Sequence, residues 1–262
     1  MSERRPIRLL DRSTGELVNA FLIDEVSKEQ VFAAHGVWQP YREKALRRLR
    51  VQKISWPEHW HWDWSQKARK LDFLAYRCIG VEHHDEMQGL MMLSTIHRQS
   101  RWRGHEGKPT IYIEYIESAP WNLAALAESP KFAGIGTRLL EAAVEFSVQE
   151  GCAGRLALHS LPQSETFYRR YMTETAVDPV SDSFLTYFEM TADQAPTIRR
   201  LADVLRLPAS QLLVLSGNVS APNEKVHKAA VQFAARIHEA EKLNPEQAKA
   251  LRDFVQALME AA

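Results

Sequence analysis

The stretch SPKFAGIGTRLLEAAVEF, residues 129–146, places two glycines, Gly134 and Gly136, directly before a segment with helical periodicity. Within residues 137–150, side chains that suit a buried face recur at the i, i+3, i+4 and i+7 spacing of one helix face. The first amides of a helix lack intrahelical partners, the helix dipole is positive there, and glycine lets an anion approach the backbone. The stretch therefore predicts either a phosphate-binding helix start or a plain loop before a surface helix.

Two common phosphate-binding motifs do not fit this stretch. A P-loop needs G-x-x-x-x-G-K-[ST], which is absent. A dinucleotide-binding fingerprint needs a third glycine, and Leu139 stands at that position. The glycines alone therefore leave the identity of the anion open.

From residue 71 to residue 190 the chain alternates between β-rich and helical segments. The predicted order is strand, strand, strand, helix, strand, helix, strand, at residues 72–81, 87–96, 110–118, 137–150, 155–160, 164–172 and 183–190. Strands that alternate with helices late in such a series predict a mixed α/β sheet.

The composition is typical of a globular protein, with 45% hydrophobic and 25% charged residues and a formal net charge of zero. The charge balance argues against a general nucleic-acid coat or a binder of anionic membranes. Residues 42–50, REKALRRLR, carry five basic side chains, which we interpret as a solvated helix face.

Targeting and cysteine signals are weak along the chain. No signal-peptide core and no run of 18 apolar residues is present, so we expect a cytoplasmic protein that makes no membrane contact. Cys78 and Cys152 each lie in an apolar run, and we expect them to be buried free thiols.

The segment KFAGIGTRLL resembles the acyl-CoA pyrophosphate loop of the GNAT N-acyltransferase superfamily, whose pattern is Arg/Gln-x-x-Gly-x-Gly/Ala. Lys131 stands at the first position in place of Arg or Gln, and Gly134 and Gly136 stand at the glycine positions. Downstream, TFYRRYM resembles the family's Phe-Tyr-x-x-x-Gly-Phe segment at Phe167 and Tyr168.

The resemblance spans residues 71–190 and implies an α/β (α+β) fold, with a mixed, mostly antiparallel sheet flanked by helices. We assign residues 1–190 to this domain, with residues 1–70 forming a helical part and a tryptophan-rich segment. The apolar periodicity of residues 191–262 predicts helices only, so we expect this segment to form an all-α appendage.

The resemblance implies acyl transfer to an amine, with acetyl-CoA as cosubstrate and no metal ion. The amine acceptor is left open among a small molecule, a peptide, a protein and an aminoacyl-tRNA. The pantetheine would pair with the freed end of the central strand, and the pyrophosphate with backbone amides from Phe132 to Arg138. The implied cofactor contacts are Ile116, Glu117, Ser118, Lys131, Phe132, Ala133, Gly134, Ile135, Gly136, Thr137, Arg138 and Phe167.

Three residues are candidates for catalysis. The resemblance implies that Tyr168 protonates the leaving thiolate, and an unshifted phenol carries its proton at pH 7; the alternative is a tyrosine that only packs against the cofactor. Glu114 and Glu117 are candidate bases. They lie three apart in a strand, so regular pleating points them to opposite faces unless a bulge intervenes. The position of Glu117 near the strand end slightly favours it.

The tryptophan-rich segment around residues 56–64 permits two interpretations. His59, His61 and Asp63 alternate, as metal ligands on a strand can, but they lack a distant fourth partner, so we expect no metal site. The tryptophans are expected to pack over the sheet or to line the acceptor pocket.

Residues 196–217 weakly resemble the end of an XRE-type helix-turn-helix domain. The helices that would enter the major groove are not seen, so we do not expect sequence-specific DNA binding. The preferred interpretation of residues 191–262 is a module for dimerisation or partner docking. The alternative for the whole chain is a regulator, DNA-associated or partner-binding, that senses acyl-CoA.

Overall fold

The computed structural model describes residues 4–175, 185–192 and 194. The described strands are β1 (Arg4–Asp11), β2 (Leu17–Ile23), β3 (Tyr76–His83), β4 (Glu86–Gln99), β5 (Pro109–Ser118), β6 (Phe132–Ala133), β7 (Leu156–Ser160), β8 (Thr173–Glu174) and β9 (Thr186–Met190). The α-helices are α1 (Lys28–Val51), α2 (Trp64–Lys67), α3 (Ile135–Gln149) and α4 (Glu165–Tyr168). Short 3₁₀ helices cover Ala68–Asp72, Pro120–Asn122 and Pro162–Ser164.

The described strands form one sheet in the order β6-β1-β2-β3-β4-β5-β7-β9-β8. The β5–β7 pair is parallel, and the remaining pairs are antiparallel. The predicted mixed, mostly antiparallel sheet flanked by helices is therefore confirmed. The predicted module of residues 191–262, apart from Thr191, Ala192 and Gln194, lies outside the described residues.

Residues 4–23 differ from the predicted helical part, because they form the β1–β2 hairpin at one side of the sheet. In β1 the exposed Arg8 alternates with the buried Leu9, and in β2 the exposed Phe21 alternates with the buried Ala20 and Leu22. β2 has the sequence LVNAFLI, in which six of seven residues are apolar, so the alternation of exposed and buried positions is not visible in the residue types. The helical prediction holds for α1, which begins with a capping box between Ser27 and Gln30.

Each face of the sheet carries its own hydrophobic core. We call them the α3 face, which includes Leu9, Ile79, Met91, Ile113, Leu139 and Tyr168, and the α1 face, which includes Ile23, Val31, Trp38, Met92 and Trp64. Cys78 is buried on the α1 face and Cys152 on the α3 face, and both are free thiols, as predicted. No helix in the described ranges has the length and apolar character needed to cross a membrane.

A β-bulge in β5 determines which side chains face each core. Tyr115 pairs with Met92 of β4 and Ile113 pairs with Leu93, so Glu114 is the extra residue. Ile113 and Ile116 consequently both pack on the α3 face although they are three residues apart. Tyr115 packs on the α1 face instead.

The sheet opens between β5 and β7. These strands pair only at Ile111–Leu156 and Tyr112–Ala157. Beyond those pairs β5 continues to Ser118 and β7 to Ser160, so the two strand ends run on without pairing to each other. At the carboxyl end of β5, the two faces of the sheet are therefore not separated by paired strands.

We predict that Gly89→Ala destabilises the protein by about 1–3 kcal/mol, the usual cost of overpacking. A Cβ at Gly89 would lie 2.4 Å from Cγ2 of Ile135, where the first turn of α3 meets β4. Gly36→Ala on the exposed surface of α1 is the matched control, because nothing lies within 4 Å of its added Cβ. The control should be neutral or stabilising by up to about 1 kcal/mol. Urea denaturation measures both, and equal losses would contradict this packing.

Candidate active site

The amino end of α3 presents backbone amides that no side chain caps. Gly134 is the N-cap residue, with φ of 89°, a conformation that L side chains rarely adopt. The Arg138 amide donates to the Gly134 carbonyl at 3.0 Å and so makes the first intrahelical bond. The amides of Ile135, Gly136 and Thr137 precede that bond and form the "amide cradle". Such a helix start suits an anion.

The amide cradle is narrower than the predicted set of donors from Phe132 to Arg138. The Phe132 amide donates to Oδ1 of Asn122 at 3.0 Å, and the Arg138 amide is used within α3. These two amides therefore have partners inside the protein, and their role as anion donors stays a prediction. Ala133 pairs with β1, and Lys131 is exposed with its ammonium 5.6 Å from the centroid of the Trp121 ring.

The two segments that resemble the superfamily's motifs meet in space. A Cβ on Gly136 would lie 3.1 Å from Cζ of Phe167, so the phenyl ring of α4 packs directly on the amide cradle. Oγ1 of Thr137 and the Tyr171 hydroxyl are hydrogen-bonded at 3.1 Å. The amide cradle and the tyrosine-bearing helix are thus one packed unit.

Tyr168 is buried on the α3 face, next to Phe167 and 5.9 Å from Phe188 between ring centroids. Burial raises the pKa of its phenol above the usual value, because the phenolate would be poorly solvated. The hydroxyl therefore carries a proton at neutral pH. It can donate a hydrogen bond, although its raised pKa makes it a weaker acid than a free tyrosine.

Glu117 is the centre of a buried polar cluster on the α1 face. Its Oε1 lies 2.6 Å from Nη2 of Arg42 in α1, and its Oε2 accepts a hydrogen bond from Nε1 of Trp64 at 2.7 Å. The Arg42 side chain is 1% exposed and that of Glu117 2%. The basic segment 42–50 is therefore not a uniformly solvated helix face, because its first arginine is buried against β5.

Burial raises the pKa of Glu117 to about 7, although Arg42, Trp64 and Lys67 all favour the ionised carboxylate. A carboxylate that titrates near neutral pH can take up a proton during a reaction and release it afterwards. The cluster therefore makes Glu117 a chemically suitable proton acceptor.

His59, which the sequence analysis considered only as a metal ligand, belongs to the same cluster. Its Nε2 lies 3.5 Å from Oε1 of Glu117. The Gln163 side-chain oxygen accepts from the Glu58 amide, so the Gln163 amide nitrogen donates to Nδ1 of His59. Nε2 then carries the ring proton and faces the carboxylate. Burial, with smaller effects of Arg42 and His61, lowers the pKa of His59 to about 4, so the ring is neutral.

Glu114 lies on the same side of the sheet as Glu117, because the bulge intervenes in the regular pleat. Its Oε2 pairs with Nζ of Lys70 at 2.9 Å, in the 3₁₀ helix that follows α2. The two candidate bases are therefore not on opposite faces. They differ in surroundings, since the Glu114 side chain is 16% exposed and pairs with a lysine.

The predicted pantetheine contacts Ile116, Glu117 and Ser118 lie in β5 beyond its last pair with β7. Toward β4, Ile116 pairs with Met91 and Ser118 with Gly89. The backbone of this segment is therefore held from one side, while its other edge borders the opening.

The remaining residues of the tryptophan-rich segment have structural partners. Asp63 caps α2 by accepting from the Ser65 amide at 2.8 Å, and Trp62 packs edge-on against Tyr115. Across the described ranges, no group of three or more His, Cys, Asp or Glu side chains is placed to hold a metal ion. A surface groove of about 540 Å³ runs along α1, and its lining includes Arg47, Arg50, Trp56, Trp60, His61 and Trp62.

We predict that Arg42→Met destabilises the protein by about 3–5 kcal/mol, because it leaves the buried Glu117 carboxylate without its cation. The double variant Arg42→Met, Glu117→Gln removes both charges and keeps an oxygen for Trp64. It should recover most of the loss. Urea denaturation of both variants at pH 7.5 is the measurement. A single variant within about 1 kcal/mol of the native protein would show that the pair is not a buried ion pair.

Comparison with known proteins places this geometry in a family. A model described as "Acetyltransferase (GNAT) family" matches residues 38–172, which is more than half of the 262-residue chain. No curated protein matches. Similar solved structures include PaiA N-acetyltransferase from Thermoplasma acidophilum with coenzyme A, at 13% identity and TM-score 0.43, over 66% of this chain and 99% of that one.

Two further structures have similar values. YncA from Salmonella typhimurium, a putative acetyltransferase with acetyl-CoA, has 14% identity and TM-score 0.41 over 66% of this chain and 94% of that one. FeeM, an N-acyl amino acid synthase from uncultured soil microbes, has 12% identity and TM-score 0.42 over 74% and 94%. The family model begins within α1 and ends beyond α4, so it covers the amide cradle, the opening and the three candidate catalytic residues. The chain belongs to the GNAT acetyltransferase family.

Proposed function

We propose that this protein is an N-acyltransferase that transfers an acetyl group from acetyl-CoA to an amine by direct attack, in the cytoplasm. The observation that carries the proposal is the opening between β5 and β7. Tyr168, whose phenol is protonated, packs on the α3 face, and Glu117, whose pKa is about 7, lies on the α1 face. Direct transfer needs a proton donor and a proton acceptor, and these two residues would supply them.

The cofactor would enter from the α3 face. Its pyrophosphate would accept hydrogen bonds from the amide cradle, and its pantetheine would run along the free edge of β5 toward Ile116 and Ser118. The side chain of Phe167, which packs on Gly136, would line the path between them. No metal is needed for this binding mode.

The amine would approach from the α1 face. It must lose a proton before or during attack, and Glu117 would receive that proton, directly or through water. Tyr168 would donate its proton to the thiolate as the carbon–sulfur bond breaks. Arg42 and Trp64 hold the carboxylate in place, and Nε2 of His59 lies 3.5 Å from it. Glu114 is the alternative acceptor of the proton, since the bulge brings it to the same face.

The surroundings of the α1 face do not select one class of amine. The two carboxylates there pair with Arg42 and Lys70, and Lys67 lies over the rings of Trp62 and Tyr115. A small molecule, a peptide, a protein lysine and an aminoacyl-tRNA can each supply an amine. Residues 191–262 remain candidates for dimerisation or partner docking.

A melting assay with acetyl-CoA, combined with thiol release over a panel of amines, tests the proposal. We expect acetyl-CoA to raise the melting temperature and at least one amine to release CoA. Binding without turnover on any amine would favour the alternative, an acyl-CoA sensor. No stabilisation by acetyl-CoA would contradict both functions.

The amide cradle predicts unequal effects of two substitutions on acetyl-CoA affinity. Gly134→Val forces a β-branched residue into a conformation with φ of 89° and should weaken binding about tenfold or more. Lys131→Ala removes one exposed charge and should weaken binding less than about fivefold. Isothermal titration measures both, with the melting temperature of each free protein as the folding control. Equal effects would count against backbone amides as the main phosphate contacts.

We predict that Tyr168→Phe and Glu117→Gln each lower kcat by about 10²- to 10⁴-fold, the usual contribution of a proton donor or acceptor. Binding of acetyl-CoA should persist in both. Because the pKa of Glu117 is about 7, the activity of the native protein should rise with pH through neutrality. The activity of the Glu117→Gln variant should no longer show this rise. Unchanged turnover in either variant would remove that residue from the mechanism.

A further inference from the structure

Two lysines on one short segment face the same tyrosine in different ways. Nζ of Lys67 lies 4.1 Å from the centroid of the Tyr115 ring, and Nζ of Lys70 lies 5.2 Å from it. Lys70 forms an ion pair with Glu114. Lys67 instead lies over a second ring, 4.8 Å from the Trp62 centroid, and within the described ranges its ammonium makes no hydrogen bond or ion pair. The close contacts of its amine are therefore with aromatic faces.

The position of Lys67 matters because Tyr115 belongs to the part of β5 that borders the opening. Glu117 follows two residues later on the same face, and its charge acts on Lys67. The amine of Lys67 thus lies beside the strand along which the thioester is proposed to bind, on the side from which the acceptor is proposed to approach. The charged groups around it are Glu117, Asp63, Arg42 and Lys70.

The two lysines also differ in protonation. Burial lowers the pKa of Lys67 to about 8, against the opposing effects of Glu117 and Asp63. For Lys70, burial is outweighed by the hydrogen bond and charge of Glu114, and its pKa is raised. At pH 7.5 roughly a quarter of Lys67 is a neutral amine, whereas an ordinary lysine is almost wholly charged. Only a neutral amine has the lone pair that attacks a carbonyl.

We infer that Lys67 is an internal acceptor, so that the protein acylates its own Lys67 from bound acyl-CoA. This inference rests on the proposed function. The lone pair of Nζ attacks the thioester carbonyl, a carbon–nitrogen bond forms and the carbon–sulfur bond breaks. The nitrogen loses one proton, to Glu117 or to water, and the CoA sulfur gains one. The products are an Nε-acyl-lysine and free CoA, so no further reactant is needed.

The modification would change the α1 face. An acylated Lys67 has no positive charge, and its amide would fill the space between Trp62 and Tyr115. An external amine would then lose that space. Self-acylation would therefore lower the turnover of external amines as the modification accumulates.

The test uses the full chain, freshly deacylated, with acetyl-CoA and no added amine, followed by mass spectrometry of its peptides. We expect one acetyl group at Lys67, formed at least about tenfold faster than at Lys70 or at exposed lysines. The rate constant should be independent of protein concentration and should level off about one pH unit above the Lys67 pKa of about 8, where most of Lys67 is neutral. Lys67→Arg should lose the modification, and Lys70→Arg is the matched control that should keep it.

Several outcomes would overturn the inference. One is release of CoA by external amines with no modification of Lys67, which leaves the proposed function standing. Another is acetylation spread evenly over lysines, or equal in heat-denatured protein, since that is uncatalysed chemistry. A third is a Lys67→Arg variant that loses external turnover although the native chain carries no modification, which would make Lys67 a positioning residue. Absence of acetyl-CoA binding would overturn the inference and the proposed function together.

Discussion

The two paired positions that join β5 to β7 are the constraint on which the rest of the site depends. A sheet that paired along the whole of both strands would separate the α1 face from the α3 face. Because pairing stops at Tyr112 and Ala157, the backbone of β5 keeps a free edge where side chains of both faces come near each other. The bulge at Glu114 then turns the following residues, so that Ile116 packs on one face and Glu117 meets Arg42 on the other.

The Arg42–Glu117 pair shows how this domain holds a charge in its interior. Removing two ions from water costs several kcal/mol each, and their attraction offsets that cost only when further hydrogen bonds are made. Here Trp64 supplies one bond to the carboxylate and the Trp62 carbonyl accepts one from the guanidinium. Replacing a buried ion pair with a hydrophobic pair of similar volume is often neutral or stabilising, so the pair is weak evidence for stability. In the proposed function, it keeps a proton-accepting group beside the opening.

The sequence predicted the parts of the structure that depend on local pattern. The strands β3, β4 and β5 and the helix α3 follow from periodicity, and Gly134 at the helix start follows from backbone preference. The β1–β2 hairpin was missed because β1 is rich in arginine and β2 does not alternate between apolar and polar residues. The common face of Glu114 and Glu117 depends on the register with β4, and the burial of Arg42 on a contact with a residue 75 positions away. Neither leaves a local signal, and the same is true of His59 and its bond to Gln163.

The contact between Gly136 and Phe167 has a consequence for how this domain can change over evolution. A Cβ at position 136 would lie 3.1 Å from the ring, so alanine there requires the ring to shift by a few tenths of an ångström and a larger residue requires more. A larger residue at 136 would need a smaller one at 167, and α4 would then settle differently on the sheet. Homologues with a larger residue at the position of Gly136 should therefore have a smaller residue at the position of Phe167. The tyrosine next to it should then also lie in a different place.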